Sequence, residues 1–461
     1  MQKTTNIGLF VPDGTGIKNY LYSSIFKNTT VPLTLFHNFD DDTLAEIRKQ
    51  VHFTNEIKLP TYTETIKEKF LREVIHSARI NYNIQQTGNN TILEFKKKSH
   101  ATRKLKLFYT AVEFYAKQNK SYKQILSLEE KYQKALQANP SFKEIKNILK
   151  EANIDSLFCT HQRAIKAATY FLAAKLLNIK TTTVIYSWDN LPKARLALRA
   201  DKYLVWSPLM KEQLQNFYSE IPQEQVHITG TPQFEFYGDA TNIIPKEDFY
   251  SNYKLDSSKK IICFSGDDAL TSPHDPLYLD AIASEILKHN KQQAYQIVFR
   301  RCPVDVSGRY DWVLKKYPKL IVDMPPKWNF NSAIWTAVYP LFEDVKLLVS
   351  LAYYADVVVN LGSTMAFDFG MFNKPCIYLA YNPVENSNTS VETIYNFEHF
   401  GSMPSKDVVF WLNEPSNLIS ILEDIDKGSP TKIRQWMDVV ADQQLEASIS
   451  IQKQLGLKII N

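Results

Sequence analysis

The sequence predicts an α/β protein built from two Rossmann-like, doubly wound domains (GT-B type), with a helical insertion in the first. Three observations favour this fold class. Short β-branched apolar runs alternate with helical stretches, which is the pattern of strands buried on both faces of a parallel sheet. A polar segment near residues 238–247 interrupts the alternation, which then begins again. At 461 residues, the chain is long enough for two domains.

The first predicted domain covers residues 1–236. It opens with a strand at Ile7–Val11 and a glycine-containing turn, followed by a helix over about residues 17–26. From about 61 to 139 the strand signals stop, and patterns rich in Lys, Glu, Gln and Tyr predict a helical insertion. The other strands predicted in this domain cover residues 31–36, 154–159, 181–186, 202–205 and 225–229.

The second predicted domain covers residues 237–430. Its strand at 356–359 leads into the turn Gly362-Ser363-Thr364 and a helix that ends before Lys374-Pro375. Two such domains predict a cleft between the carboxyl ends of their strands. A last helical pattern covers residues 431–461. The other strands predicted in this domain cover residues 260–264, 296–300, 320–322 and 376–379.

Composition and charge exclude several classes of function. The net charge of +5 is a mild excess that does not predict a nucleic-acid-binding surface. The four cysteines are scattered, and no two have the CxxC spacing of a zinc or redox site, so we expect no metal. The chain begins with polar residues and has no apolar stretch long enough to span a bilayer. These features predict a cytoplasmic protein without a signal peptide.

The turn Gly362-Ser363-Thr364 is the most informative feature of the chain. The N–H groups at the start of a helix carry the positive end of the helix dipole, so two hydroxyls beside them suit a phosphate. Asp368 lies one helical turn after Thr364, which predicts contact with a ribose or sugar hydroxyl. The alternative is an ordinary Ser or Thr cap of the helix with nothing bound.

Polar residues also follow the strands of the first predicted domain. Asp13 follows the first strand, where a carboxylate can accept the proton of an acceptor hydroxyl, and we predict Asp13 as the catalytic base. His161, after a later strand, is the second candidate for this role. Trp188, Asp189 and Lys193 follow the next strand and are predicted to bind the acceptor or shape the cleft. Capping and packing are the alternative roles of these residues.

The second predicted domain offers cations for a donor. Gly266, at the end of a strand, is assigned to the donor site. Arg300 and Arg301 end another strand, and a guanidinium opposite the Ser363-Thr364 turn would offset the charge of a diphosphate leaving group. Since adjacent residues of a strand point to opposite faces, at most one of them is expected to serve the ligand. Lys327 is predicted to meet a base or a phosphate, and a surface salt bridge is the alternative role of the arginines.

Two familiar patterns are rejected. The turn Asp13–Asn19 resembles a dinucleotide fingerprint, but Asn19 replaces the third glycine. No acidic residue stands at the end of the second strand, so NAD binding is not predicted. Asp40-Asp41-Asp42 resembles a metal-binding DxD motif, but Asp42 opens a helix and suits its N-cap.

A basic cluster lies in the predicted insertion. Aromatic residues are interleaved with its cations, which are Lys96-Lys97-Lys98, Arg103, Lys104 and Lys106. This composition suits contact of residues 95–115 with an anionic membrane that carries a lipid-linked acceptor. A solvated helix face is the alternative.

One segment begins with Ser363-Thr364-Met365-Ala366-Phe367-Asp368-Phe369 and is followed by Lys374-Pro375. This segment resembles the motif of the CDP-glycerol glycerophosphotransferase family. This family belongs to the GT-B fold enzymes of bacterial surface-polysaccharide synthesis. Gly230-Thr231-Pro232 is similar to the Gly-x-Pro element that closes the first domain of such enzymes. The resemblance covers about residues 154–382. It implies the GT-B fold, a donor diphosphate held by the second domain, and a final helix, residues 431–461, that packs back on the first.

These features predict a metal-independent glycosyltransferase. It would move a sugar from a UDP-, GDP- or CMP-linked donor to a glycan or lipid-linked acceptor in surface polysaccharide synthesis, with no cofactor. The expected partners are the donor and the acceptor, with a peripheral contact at the inner face of the membrane and no nucleic acid. Three alternatives stay open: a CDP-polyol phosphotransferase, a sugar-nucleotide 2-epimerase, and a non-catalytic protein that binds a membrane surface or a partner.

Overall fold

The computed structural model describes residues 6–27, 29–96, 102–197, 199–329, 338–385, 390–442 and 446–457. These residues form two compact units. The first unit contains the described residues of Met1–Thr231, Phe397–Gly401 and Gln444–Asn461, and the second contains those of Pro232–Asn396 and Ser402–Gln443. Each unit is built around its own parallel sheet.

Within the described ranges, the sheet of the first unit has seven parallel strands: β1 (Ile7–Val11), β2 (Leu33–His37), β3 (Asn55–Lys58), β4 (Ser156–Cys159), β5 (Lys180–Val184), β6 (Lys202–Val205) and β7 (Val226–Ile228). Their order is β3-β2-β1-β4-β5-β6-β7. β1 is buried along its whole length and pairs with β2 and β4. Because all strands run in parallel, the residues that follow β1 and β4 meet at the same edge of the sheet.

The helices of the first unit include those of the insertion. Those that precede Thr231 are α1 (Asp41–Arg48), α2 (Ile66–Thr87), α3 (Arg103–Gln118), α4 (Tyr122–Gln137), α5 (Phe142–Glu151), α6 (Ile165–Leu176) and α7 (Pro208–Phe217). The insertion, α2 to α5, lies between β3 and β4 in the chain. The helix predicted over 17–26 is instead a π-helical turn, Ile17–Leu21, and a 3-10 turn, Ser24–Phe26. Seven of the ten residues 17–26 are buried, so tertiary packing overrides the helical pattern.

A buried arginine fastens the insertion to the rest of the first unit. The guanidinium of Arg79, on α2, hydrogen-bonds to Glu129 on α4 at 2.6 and 2.9 Å. It also reaches Glu220, after α7, at 3.1 Å and lies 4.5 Å from the centre of the Tyr218 ring. A buried charge with two carboxylates and an aromatic face is well compensated, so this network holds the insertion in one position.

The second unit has a sheet of six parallel strands among its described residues. Its strands are β8 (Lys260–Ser265), β9 (Tyr295–Arg300), β10 (Ile321–Asp323), β13 (Val357–Asn360), β14 (Cys376–Leu379) and β15 (Phe410–Leu412), and a separate antiparallel pair is formed by β11 (Trp328–Asn329) and β12 (Tyr339–Pro340). The sheet order is β10-β9-β8-β13-β14-β15. The helices are α8 (Lys246–Asn252), α9 (Asp275–Lys288), α10 (Asp311–Lys316), α11 (Phe342–Tyr354), α12 (Met365–Gly370), α13 (Val391–Tyr395), α14 (Leu418–Asp426) and α15 (Ile433–Val440).

The boundaries of the units differ from the predicted domains 1–236, 237–430 and 431–461. Residues 232–236 belong to the second unit, where Phe234 packs on Phe367 of α12. Residues 397–401 belong to the first unit, because His399 packs on Trp188.

The predicted C-terminal helix, residues 431–461, is two helices. α15 belongs to the second unit, where Trp436 contacts Phe367. α16 (Ala447–Leu455) belongs to the first unit, where Gln452 donates to the carbonyls of Ser24 and Ile25 at 3.2 and 2.9 Å. Only α16 therefore packs back on the first unit. No helix in the described ranges is both long enough and apolar enough to cross a bilayer.

Candidate active site

Asp13 and His161, the two residues predicted as candidates for the catalytic base, lie side by side at the carboxyl edge of the first sheet. Asp13 follows β1 and His161 follows β4, and these strands are neighbours. Nδ1 of His161 lies 3.0 and 2.8 Å from the two carboxylate oxygens of Asp13. The same carboxylate accepts a hydrogen bond from the backbone N–H of Thr15 at 3.1 Å. The structure therefore joins the two candidates into one acid–base pair.

This pair determines which imidazole nitrogen carries the proton. Burial acts to raise the pKa of Asp13, but the hydrogen bond and charge of His161, with the hydrogen bonds of Thr15, hold that pKa below its usual value. An ionised carboxylate only accepts hydrogen bonds, so Nδ1 of His161 donates. In the neutral ring Nε2 then presents a lone pair, and within the described ranges no protein group hydrogen-bonds to it. Such a histidine is oriented as a general base.

Trp188, Asp189 and Lys193, predicted to bind the acceptor, make contacts inside the first unit. Trp188 is buried and meets the ring of His399 edge-on, with ring centres 4.7 Å apart. Asp189 forms an ion pair with Lys193 and accepts a hydrogen bond from the hydroxyl of Ser187 at 2.6 Å. Burial acts to raise the pKa of Asp189, but Lys193 and His399 outweigh it and hold the pKa well below its usual value. Packing and capping account for these contacts.

The turn at Gly362-Ser363-Thr364 has the predicted form. Gly362 has φ of +72°, in the left-handed region that favours glycine. The side-chain oxygen of Asn360 accepts the backbone N–H of Ser363 at 2.7 Å, which holds the turn on the end of β13. The hydroxyl of Ser363 accepts the N–H of Met365 at 3.4 Å, whereas Thr364 makes no side-chain cap. Ser363 and Thr364 are half-buried and directly precede α12 in the chain.

Asp368 has a different environment from the one predicted. It lies on the buried face of α12 and accepts a hydrogen bond from the hydroxyl of Tyr237 at 2.7 Å. The side-chain amide of Gln233 approaches the same oxygen at 3.5 Å. Both partners belong to the segment that begins the second unit. The sequence predicted a sugar hydroxyl as the partner of this carboxylate, whereas in the structure a tyrosine hydroxyl of the protein donates to it.

Arg300 ends β9 in a buried ion pair. Its Nη2 lies 2.9 Å from both carboxylate oxygens of Asp344, and the two side chains are each 6% exposed. Asp344 also accepts the backbone N–H of Lys327 and the indole N–H of Trp328, both at 2.8 Å. Nη1 of Arg300 is buried and has no hydrogen-bond partner among the described residues. The positive charge of Arg300 is thus balanced by the protein, while one of its N–H groups remains to be satisfied.

The other predicted donor residues lie near this strand end. Arg301 is ion-paired with Asp323 at 2.6 Å, so the two neighbouring arginines have different partners, as strand alternation predicts. Lys327 is exposed. A Cβ on Gly266 would lie 2.6 Å from the hydroxyl of Tyr310, so close packing requires glycine at this position. β9, β8 and β13 are adjacent, so Arg300, Gly266 and the 362–364 turn share one edge of the second sheet.

Sequence reasoning missed two residues of these edges. Asp344 is not among the site residues predicted from the sequence, although a buried acid in the apolar helix α11 is itself a signal of a polar partner. Tyr186 ends the strand region before Trp188, and its ring meets that of His161 edge-on at 4.8 Å. No sequence pattern indicates this contact. In the part of the chain that the structure describes, no three His, Cys, Asp or Glu side chains cluster as a metal site requires.

Comparison with known proteins identifies the fold. No protein-family model matches the chain, and no curated protein matches it. A glycosyltransferase structure from Rickettsia africae matches with a TM-score of 0.52 and 12% identity, covering 98% of this chain and 97% of that one. The S. aureus MnaA–UDP co-structure matches with a TM-score of 0.51 and 10% identity, covering 98% of each chain. A structure of UDP-N-acetylglucosamine 2-epimerase matches with a TM-score of 0.52 and 10% identity, covering 99% of this chain and 95% of that one. The chain therefore has the GT-B fold, and the predicted fold class is confirmed.

Proposed function

We propose that this protein is a metal-independent glycosyltransferase that moves a sugar from a nucleotide-activated donor to a hydroxyl of a glycan or lipid-linked acceptor in surface polysaccharide synthesis. The observation that carries the proposal is the pairing of Asp13 with His161. Transfer to a hydroxyl needs a group that removes the hydroxyl proton as the new bond forms. His161, held in one tautomer by an ionised aspartate, supplies that group, so the predicted order of the two candidates is reversed.

In the proposed reaction, Nε2 of His161 takes the proton of the acceptor hydroxyl. The hydroxyl oxygen attacks the anomeric carbon of the donor sugar, and the bond from that carbon to the nucleotide phosphate breaks. The nucleotide leaves with the bonding electrons and needs hydrogen-bond donors for its negative charge. The hydroxyls of Ser363 and Thr364 and the backbone N–H of Thr364 provide such donors, and Nη1 of Arg300 provides another. Lys327 is the assigned contact for the base or a phosphate.

Replacing both turn hydroxyls tests the donor site. We expect Ser363→Ala combined with Thr364→Ala to lower turnover about 10²–10³-fold, because removal of one preorganised donor typically costs about 3–4 kcal/mol of transition-state stabilisation. The initial rate of nucleotide release from the donor measures the effect, and thermal unfolding confirms that the variant folds.

Ser390→Ala is the matched control, because Ser390 caps α13 of the same unit through the N–H of Thr393. This control should retain the activity of the parent protein. Wild-type turnover in the double variant would remove the 362–364 turn from the donor site.

A sugar-nucleotide 2-epimerase is the second candidate function, favoured by the likeness to structures with that name. An epimerase isomerises its donor without an acceptor, whereas a transferase consumes the donor only when an acceptor is present. A CDP-polyol phosphotransferase would instead turn over CDP-glycerol or CDP-ribitol. Thermal stabilisation by CMP, CDP, UDP and GDP selects the nucleotide class, and product analysis with and without acceptor then separates the three reactions.

For the peripheral membrane contact predicted for residues 95–115, we propose that helix α3 supplies the contacting face. Lys97 and Lys98 lie outside the described residues. Lys96 is ion-paired with Glu113 at 3.0 Å. On α3, Leu107 is 74% exposed and Phe114 61% exposed, on the same face of the helix. The exposed cations of this helix are Arg103, Lys104, Lys106 and Lys117. An apolar ridge flanked by cations fits the surface of an anionic bilayer.

Vesicle sedimentation tests this face. The full chain should sediment with phosphatidylglycerol vesicles and not with phosphatidylcholine vesicles, and added salt should release it because the attraction is electrostatic. Leu107→Ser with Phe114→Ser should weaken binding about tenfold or more, since each loses apolar burial. Leu270→Ser, at a 91% exposed leucine of the second unit, is the control. Equal binding to both kinds of vesicle would contradict the contact.

A further inference from the structure

Arg163 is a cation without a carboxylate partner beside the Asp13–His161 pair. It lies two residues after His161, just before α6. Its Nη1 donates to the hydroxyl of Tyr186 at 3.3 Å. Its Nε is buried without a hydrogen-bond partner, and no carboxylate of a described residue lies within ion-pairing distance. A buried N–H left unpaired is destabilising, so such a group is rarely kept without a use.

Two further cations, Arg195 and Lys166, lie near Arg163. Among the described residues, Arg195 forms an ion pair with one carboxylate, that of Glu73 at 3.5 Å. Burial lowers the pKa of Arg195, and the nearby positive charges of Arg72 and Arg163 lower it further, against the opposing effect of Glu73. Burial likewise lowers the pKa of Lys166, with Asp13 opposing. Asp13, the carboxylate that opposes the lowering of the pKa of Lys166, is already paired with His161.

The backbone adds to this positive field. α6 is twelve residues long, and its N-cap residue, Ala164, has no side chain that can cap the helix. The N-terminal end of a helix carries about half a positive charge and favours anions. Arg163 therefore combines a guanidinium whose Nε has no partner among the described residues with an uncapped helix start, and the two features are independent of each other.

We propose that Arg163 and the first turn of α6 bind an oxyanion of the acceptor, a phosphate or a carboxylate, next to the hydroxyl that His161 deprotonates. That the anion belongs to an acceptor rests on the proposed function, whereas the anion site itself rests on the structure of the first unit. The planar edge of a guanidinium matches two oxygens of either oxyanion. The acceptor would thus be an acidic molecule, such as a glycan bearing a phosphate ester or a uronic acid, and not a neutral sugar.

Nuclear magnetic resonance of the full chain with ¹³C-labelled histidine provides a local test. The His161 signal is assigned by its loss in His161→Gln, and inorganic phosphate or acetate is titrated at fixed pH against chloride of equal ionic strength. We expect the His161 signal to shift with one of the two oxyanions, and the apparent Kd to rise about tenfold or more in Arg163→Gln. Phosphate as the tighter ligand assigns a phosphorylated acceptor, and acetate assigns an acidic sugar.

Two further variants keep the test decisive. Lys175→Gln, at the exposed far end of α6, should titrate as the wild type does. Arg163→Lys keeps the charge without the planar fork and should bind at an intermediate strength, which covers the case that Arg163→Gln does not fold. No shift with either oxyanion, or the same Kd in both Arg163 variants and the wild type, overturns the anion site. Thermal stabilisation of the protein by nucleotides reports on the second unit. If no nucleotide stabilises the protein while the oxyanion still shifts the His161 signal, the proposed transfer is refuted and the anion site stands.

Discussion

His161→Gln is expected to lower turnover about 10²–10⁴-fold, the usual contribution of a general base. Glutamine keeps a polar side chain of similar length but has no basic nitrogen. His161 lies in the first unit and the nucleotide is assigned to the second. The rise in Tm that the nucleotide produces should therefore not change. Initial rates with saturating donor and acceptor measure the loss in kcat, and calorimetry measures nucleotide affinity.

Asp13→Asn separates orientation from proton transfer. The amide can no longer hold Nδ1 as an obligate donor, so the ring is free to adopt the tautomer in which Nε2 carries the proton and cannot act as a base. We expect a smaller loss of kcat than for His161→Gln, and a double variant no worse than His161→Gln alone, since the two residues act as a unit. His52→Gln, at an exposed histidine of the same unit, is the control. Turnover within threefold of wild type in His161→Gln would contradict the assignment of the base.

Asp344→Ala is expected to lower the free energy of unfolding by about 3–5 kcal/mol, the usual cost of removing one partner of a buried ion pair. The substitution leaves the guanidinium of Arg300 buried without a counter-charge. It also leaves the indole N–H of Trp328 and the backbone N–H of Lys327 without their acceptor. Urea denaturation followed by circular dichroism measures the loss.

The adjacent ion pair supplies the control. Arg301 and Asp323 form the same kind of pair one residue along, but their side chains are 20% and 34% exposed. Asp323→Ala should therefore cost at most about 1 kcal/mol. The variant Arg300→Met with Asp344→Leu, which removes both charges, should be more stable than Asp344→Ala alone. Equal costs for Asp344→Ala and Asp323→Ala would show that burial does not set the strength of this pair.

Much of the fold could be predicted because buried parallel strands are apolar throughout. β1, β8 and β13 are recognisable from their own residues. β3, with the sequence NEIK, was missed because it is an edge strand with two exposed residues. β15, at the edge of the other sheet, was missed for a similar reason, since only Leu412 of its three residues is buried.

The sequence predicted at which strand ends the candidate site residues lie, but not which residues they contact. Asp13 and His161 were chosen separately, each because it follows a strand. Their pairing required the order of the sheet, in which β4 lies next to β1 although about 150 residues separate them in the chain. Asp368 was expected to face a ligand, but a single helical turn does not reveal which face of α12 is buried.

The sequence by itself determined the class of fold, the location of polar groups at strand ends and the form of the 362–364 turn, because each depends on residues close together in the chain. The tertiary structure alone decided the partners: Asp13 with His161, Asp368 with Tyr237, and Arg300 with Asp344. A hydrogen bond joins groups within about 3 Å, whatever their distance along the chain. Which of these polar side chains is left to act on a substrate therefore depends on contacts that no local pattern encodes.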